Sequence, residues 1–154
     1  MSFLRVIAVL VLAGAGVAAG ADLPLRIDLL GEPLKVLTAA DRAVVEDAVK
    51  LVEQGRHGQA LDRLMALTKS HPDNSSLRIL AGWAALQAGN LSMALDSALK
   101  AHEAPNGNEY KCWFLAKVAL LTGDRATCER EFKHFHKAPG LKAEARELKK
   151  AMAK

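Results

Sequence analysis

The chain has 154 residues, of which 51% are hydrophobic and only 5% are aromatic, and its formal net charge is +4. This length suits one folded domain. The small excess of basic residues is mixed with acidic residues along the sequence, so the clustered positive charge typical of a nucleic-acid-binding protein is missing and no nucleic-acid partner is expected.

Residues 1–21 show the pattern of a secretory signal peptide: a basic start at Arg5, an apolar stretch over residues 6–18, and small residues at the cleavage point. We predict cleavage after Ala21, with Ala19 as the alternative. The apolar stretch is shorter than the roughly 20 residues that a membrane-spanning helix needs. Because the signal is rich in small residues, as in bacteria, the mature protein is predicted to be periplasmic or secreted, and no membrane contact is expected after cleavage.

Residues 22–37 are predicted to form a non-helical extension. Hydrophobic residues from Leu25 to Leu29 alternate with charged ones, which is the period of a strand, and Pro24 and Pro33 disfavour a helix. No second strand is predicted to pair with this one. The segment is therefore expected to pack on the helices, contact a partner or remain unpacked. Our hypothesis is that it lies in or along an apolar groove, as a permanent or a displaceable cover.

From residue 38 onward, amphipathic stretches alternate with short turns. Thr38 followed by Asp41 resembles the capping box that begins a helix. The pattern predicts helices over residues 39–54, 57–70, 75–88, 91–103, 109–122 and 125–137.

The last stretch, residues 141–154, is predicted to be one more amphipathic helix. Its apolar face consists of Leu141, Ala145, Leu148 and Met152. Such a helix suits the end of a helical stack, whose last apolar face needs a cover with a polar back. Its basic residues would also suit a membrane-surface helix, but the small, alanine-rich apolar face argues against that alternative.

Three glycines stand at a constant spacing, since Gly55, Gly89 and Gly123 are each 34 residues apart. A small residue lies seven positions before each glycine and another lies five positions after it. These pairs are Ala48 and Ala60, Gly82 and Ala94, and Ala116 and Cys128.

This period resembles the tetratricopeptide repeat, a helix–turn–helix unit of 34 residues, over about residues 41–142. The resemblance implies an all-α fold: a right-handed superhelical stack of three repeats with a C-terminal capping helix, in a domain of residues 38–154. In this family, small residues stand where the two helices of a repeat touch. The sequence departs from the family at the usual tryptophan position of the first helices, which holds Val44, Arg78 and Cys112.

The resemblance also implies that the first helix of each repeat lines a concave wall. The residues at these positions are Val45, Val49, Val52, Ile79, Trp83, Leu86, Tyr110, Trp113, Lys117 and Leu120. An apolar wall with both tryptophans of the chain predicts a groove that binds an apolar peptide or helix. The alternative is that the wall belongs to the core. Val45 and Val49 replace the Lys and Asn of the family's carboxylate-binding grooves, so an acidic C-terminus is not the expected ligand.

No motif in the sequence points to catalysis, a cofactor or a metal site. Glycine-rich phosphate loops and nucleophile motifs are missing. His134 and His136, the only close pair of histidines, point to different faces of a helix, so the histidines are expected to be solvated surface residues. Cys112 and Cys128 are offset by about 6 Å along their helices. This offset favours two free thiols, although a shifted register would still allow a disulfide.

These observations predict an exported protein-binding scaffold or assembly factor that is not an enzyme and presents an apolar concave groove to another envelope or secreted protein. Two alternatives remain open from the sequence. One is a carrier of a small apolar ligand, and the other is an accessory subunit of an envelope enzyme complex.

Overall fold

A computed structural model describes residues 25–154, which form an all-α protein with no β-strand among them. The predicted signal peptide lies outside the described residues. Within the described range the helices are α1 (Glu32–Lys35), α2 (Ala39–Glu53), α3 (His57–Ser70), α4 (Ser75–Gln87), α5 (Leu91–Glu103), α6 (Tyr110–Leu121), α7 (Arg125–Phe135) and α8 (Lys142–Met152).

Helices α2 to α7 lie where the sequence predicts them, with ends that differ from the predicted ones by no more than two residues. The predicted cap of α2 is also confirmed. The Thr38 hydroxyl oxygen accepts a hydrogen bond of 3.1 Å from the backbone N–H of Asp41, which satisfies one of the free donors at the start of the helix.

The turns at the three evenly spaced glycines have the same hydrogen bonds. Gly55, Gly89 and Gly123 have φ angles of 75°, 76° and 83°, a conformation in which a side chain would be strained. Each glycine N–H donates to the carbonyl three residues earlier, and the next N–H donates to the carbonyl five residues earlier. This is the Schellman motif, which ends a helix by satisfying its last carbonyls.

Each helix from α2 to α7 packs against the next one in the chain, and α4 also contacts α6. The small residues that the repeat pattern places between paired helices are all buried: Ala48, Ala60, Gly82, Ala94, Ala116 and Cys128. Small side chains at these buried positions allow neighbouring helices to approach closely.

Helix α8 covers the end of this arrangement by packing against α6 and α7. Leu141, Ala145 and Leu148 are buried and Met152 is half-buried, as predicted for its apolar face. The basic side chains of α8 are exposed. Among the described residues, no helix combines the length and the apolar character needed to cross a membrane.

The prediction of a strand-like, non-helical extension was wrong for the described part of residues 22–37. Ile27–Leu29 form a 3₁₀ turn and Glu32–Lys35 form the short helix α1. Gly31, with φ of 69°, precedes this helix, and Pro33 is its second residue. A proline in the first turn lacks only an N–H that would be unpaired anyway, so Pro33 helps to begin a helix here.

Residues 25–37 pack on the helices, which was one of the expected alternatives. Leu25, Leu30 and Leu37 are buried in the main core. Side chains at the beginning of α4 also bind the segment's backbone: the Ser76 hydroxyl donates to the Leu30 carbonyl at 2.6 Å, and the Asn74 amide donates to the Pro33 carbonyl at 2.7 Å.

Candidate functional site

The ten residues predicted to line a partner-binding wall lie on α2, α4 and α6, the first helices of the three pairs. Seven are buried: Val45, Val52, Ile79, Leu86, Tyr110, Trp113 and Lys117. The half-buried ones are Val49 on α2, Trp83 on α4 and Leu120 on α6. Most of the predicted wall therefore belongs to the core, and only these three side chains offer apolar surface for direct contact with a partner.

Aromatic stacking organises the part of the wall on α6. The Tyr110 and Trp113 rings stack with centroids 4.5 Å apart, and the Lys117 ammonium lies 5.2 Å from the centroid of the Trp113 ring. A cation over an indole face is attracted by the ring's negative face. This contact helps to stabilise the charge of the buried Lys117 side chain.

The N-terminal segment, residues 25–37, contacts the wall at Tyr110. The backbone N–H of Arg26 donates to the Tyr110 hydroxyl at 2.8 Å, and burial raises the pKa of that hydroxyl. The Arg26 guanidinium lies 3.5 Å from the carboxylate of Glu144 on α8. Residues 25–37 thus contact the predicted wall at Tyr110, and the hypothesis that they lie in or along a groove stays a prediction.

A second set of polar side chains meets on the helices α5, α6 and α7. His102, Cys112 and Glu131 each offer one possible ligand atom, and these atoms lie within 4.8 Å of one another. Glu131 is only 1% exposed, whereas His102 and Cys112 are half-buried. Arg130 donates from Nε to Glu131 Oε1 at 2.9 Å and so orients the carboxylate.

Sequence reasoning missed this cluster because its three members come from three helices and share no short motif. The signal that could have located Glu131 is its place three residues after Cys128, one turn along the same face of α7. The sequence analysis compared Cys112 with Cys128, but the nearby side chain is that of Glu131.

Both cysteines are free thiols, as the sequence analysis favoured. Cys128 is fully buried, and burial raises the pKa of its thiol to about 11. The pKa of the half-buried Cys112 thiol is also raised, first by burial and then by the negative charge of Glu131.

The expectation that the histidines are solvated was wrong for several of them. His71 is half-buried and lies 3.1 Å from the carboxylate of Asp41, whose pKa is lowered by a hydrogen bond from the Thr38 hydroxyl and then by His71. His136 is half-buried and stacks on Phe132 with centroids 5.2 Å apart. These rings are held by local contacts that the spacing of histidines in the sequence does not reveal.

No protein-family model matches the chain, and searches of curated proteins and of solved structures returned no match.

Proposed function

We propose that this chain is an exported helical-repeat protein of the tetratricopeptide type, and that it binds another protein as a scaffold or assembly factor without catalysing a reaction. The proposed partner site is the wall formed by the first helices of the three pairs. The proposed ligand is an apolar peptide or an amphipathic helix of another envelope or secreted protein.

Support for the repeat comes from the turns. Gly55, Gly89 and Gly123 share one backbone conformation and one set of hydrogen bonds at a spacing of 34 residues. The helix pairs that flank these turns pack in chain order, and α8 packs on the last pair. A right-handed superhelix of three repeats with a capping helix is the architecture that we propose for this arrangement.

The partial exposure of Trp83 is the observation that carries the proposed binding role. Tryptophan is the residue most enriched among the side chains that dominate binding energy at protein interfaces. Val49 occupies the equivalent position 34 residues earlier, and Leu120 is the half-buried wall residue of the third pair. Each first helix therefore contributes one half-buried apolar residue of the predicted wall, which suits a ligand that meets all three helices.

The test compares proteins captured by the wild type and by a Trp83→Ala variant from an envelope extract. Loss of the captured partner in the variant is expected, with a reduction in affinity of at least about 30-fold, because truncation of a central interface tryptophan costs about 2 kcal/mol or more. Trp113→Ala is a poor choice because Trp113 is buried and its loss would disturb the fold.

Leu99→Ala is the matched control, since Leu99 is an exposed apolar residue on the second helix α5. This variant should retain the partner, and circular dichroism should show that both variants keep their helices. Equal capture by the wild type and the Trp83→Ala variant would eliminate this wall as the binding site.

Export has its own test. Mass spectrometry of the protein recovered outside the cytoplasm should find a chain that begins at Asp22, or at Gly20 for the alternative cleavage point. Recovery of the uncut chain in the cytoplasm alone would contradict the proposed export, whatever the binding experiment shows.

A further inference from the structure

The cluster of His102, Cys112 and Glu131 lies outside the proposed partner wall and combines one nitrogen, one sulfur and one oxygen ligand. These are the three ligand types that zinc accepts from proteins. The His102 ring comes from the last turn of α5, the Cys112 thiol from the first turn of α6, and the Glu131 carboxylate from the middle of α7. The packing of these three helices fixes the positions of the ligands.

The Glu131 carboxylate has an unusual environment. The side chain is buried, its Oε1 accepts a hydrogen bond from Arg130, and its Oε2 faces the His102 ring. Nε2 of His102 lies 2.9 Å from Oε2, within ion-pair distance. A buried carboxylate is costly unless its charge is compensated, and a bound cation would compensate that charge directly.

We propose that His102 Nε2, Cys112 Sγ and Glu131 Oε2 form a binding site for a divalent transition-metal ion, with zinc as the ion that fits best. Zinc bonds of about 2.0–2.3 Å in a tetrahedral site place the ligand atoms roughly 3.3–3.8 Å apart. One ligand atom of each residue already lies within 4.8 Å of those of the other two. Side-chain movements of about 1 Å would therefore complete the coordination.

The charges at the site suit such an ion. A thiolate from Cys112 and the carboxylate of Glu131 would neutralise the two positive charges of the metal. Arg130, through its hydrogen bond to Oε1, would act as the outer partner that orients the ligating carboxylate. Three protein ligands leave a fourth coordination position for water or for a donor group of another molecule. The partial exposure of His102 provides an entry route.

Cobalt substitution tests the proposal directly. The purified full chain, freed of metal and kept reduced, is titrated with Co²⁺ and then with Zn²⁺ in competition. We expect one ion per chain, absorption bands of tetrahedral cobalt, and a charge-transfer band from thiolate to cobalt. Cys112→Ser should lose the charge-transfer band.

His102→Ala and Glu131→Gln should each weaken zinc binding by about 100-fold or more, because loss of a direct ligand exceeds the roughly 10–100-fold effect of losing an outer partner. Glu131→Gln keeps the shape of the side chain, so it remains informative if the alanine variant folds poorly. Circular dichroism checks the helices of each variant.

Two variants serve as matched controls. Cys128→Ser removes the other thiol of the chain, and His134→Ala removes an exposed histidine from the same helix as Glu131. Both should bind one ion as the wild type does. The proposal is overturned if the wild type binds no stoichiometric metal, if Cys112→Ser retains the charge-transfer band, or if Cys128→Ser loses it.

Discussion

Gly82 shows how one missing side chain allows two helices to approach. A Cβ atom at this position would lie 2.7 Å and 2.9 Å from atoms of the Phe114 ring and 3.2 Å from Cβ of Ser97. Phe114 is only 1% exposed, so its ring has little room to move. We predict that Gly82→Ala lowers the free energy of unfolding, because overpacking of a close-packed core costs about 1–3 kcal/mol.

Gly58→Ala is the matched control for this substitution. Gly58 is also helical, but no atom lies within 4 Å of the position of its missing Cβ. Alanine should therefore be neutral or stabilising there by up to about 1 kcal/mol, through its better helix propensity. Urea denaturation of both variants measures the difference, and equal stabilities would show that Phe114 adapts without cost.

The buried thiol of Cys128 should make stability depend on pH in the alkaline range. Its pKa is about 11 in the folded chain, against an ordinary value of 9.0, so the unfolded chain loses this proton first. The stabilising contribution is complete below pH 9.0 and is lost as the pH rises toward 11. Cys128→Ala should therefore lose less stability than the wild type across this range.

Unfolding midpoints in urea at several alkaline pH values test this expectation. The two proteins differ only at this side chain, so the difference between the two curves reports Cys128. Parallel curves would mean that the thiol does not couple to unfolding.

At the scale of elements, the three turns differ in one useful detail. The residue after each of these glycines is the N-cap of the next helix. The side-chain oxygen of Asn90 accepts a hydrogen bond from the Met93 N–H, and that of Asp124 accepts one from the Thr127 N–H. Arg56 stands at the equivalent position of the first turn, and its side chain makes no such cap. The first of the three turns therefore lacks a contact that the other two have.

We predict that Arg56→Asn stabilises the protein by about 1 kcal/mol, since asparagine is among the best helix-capping residues. The Arg56 backbone angles, −89° and 53°, are near the −93° and 80° of Asn90, so the new side chain can reach the free N–H groups. Thermal unfolding measures the gain, and Asn90→Ala should show a loss of similar size. A variant no more stable than the wild type would mean that Arg56 already makes an equivalent contribution.

Elements governed by local chemistry were predictable from the sequence. Gly55 and its equivalents end helices by their own backbone freedom, so helix ends followed from spacing alone. The segment before α2 was mispredicted because its conformation depends on Asn74 and Ser76, which are distant in sequence. Which wall residues remain accessible could not be predicted either, because burial depends on how separate helices pack and not on the pattern within one helix.

At the scale of the whole molecule, residues 25–37 connect parts of the chain that are far apart in sequence. They bind α4 through Asn74 and Ser76, the loop before α6 through Asn108, and α8 through the Arg26–Glu144 pair. The segment thus stabilises the second and third helix pairs together. This placement explains how a short stretch with only single turns of helix buries Leu25, Leu30 and Leu37.

Deletion of residues 22–37 should therefore destabilise the protein and change the environment of Trp113 more than that of Trp83. Loss of buried leucines costs about 1.5–3 kcal/mol each, and Tyr110, which stacks on Trp113, loses the N–H of Arg26. Trp83→Phe and Trp113→Phe backgrounds let fluorescence report one tryptophan at a time. We expect a larger red shift from Trp113, because the segment reaches the wall through Tyr110. A larger shift from Trp83 would mean that the segment covers the partner site itself, and unchanged emission with unchanged stability would show that it covers neither.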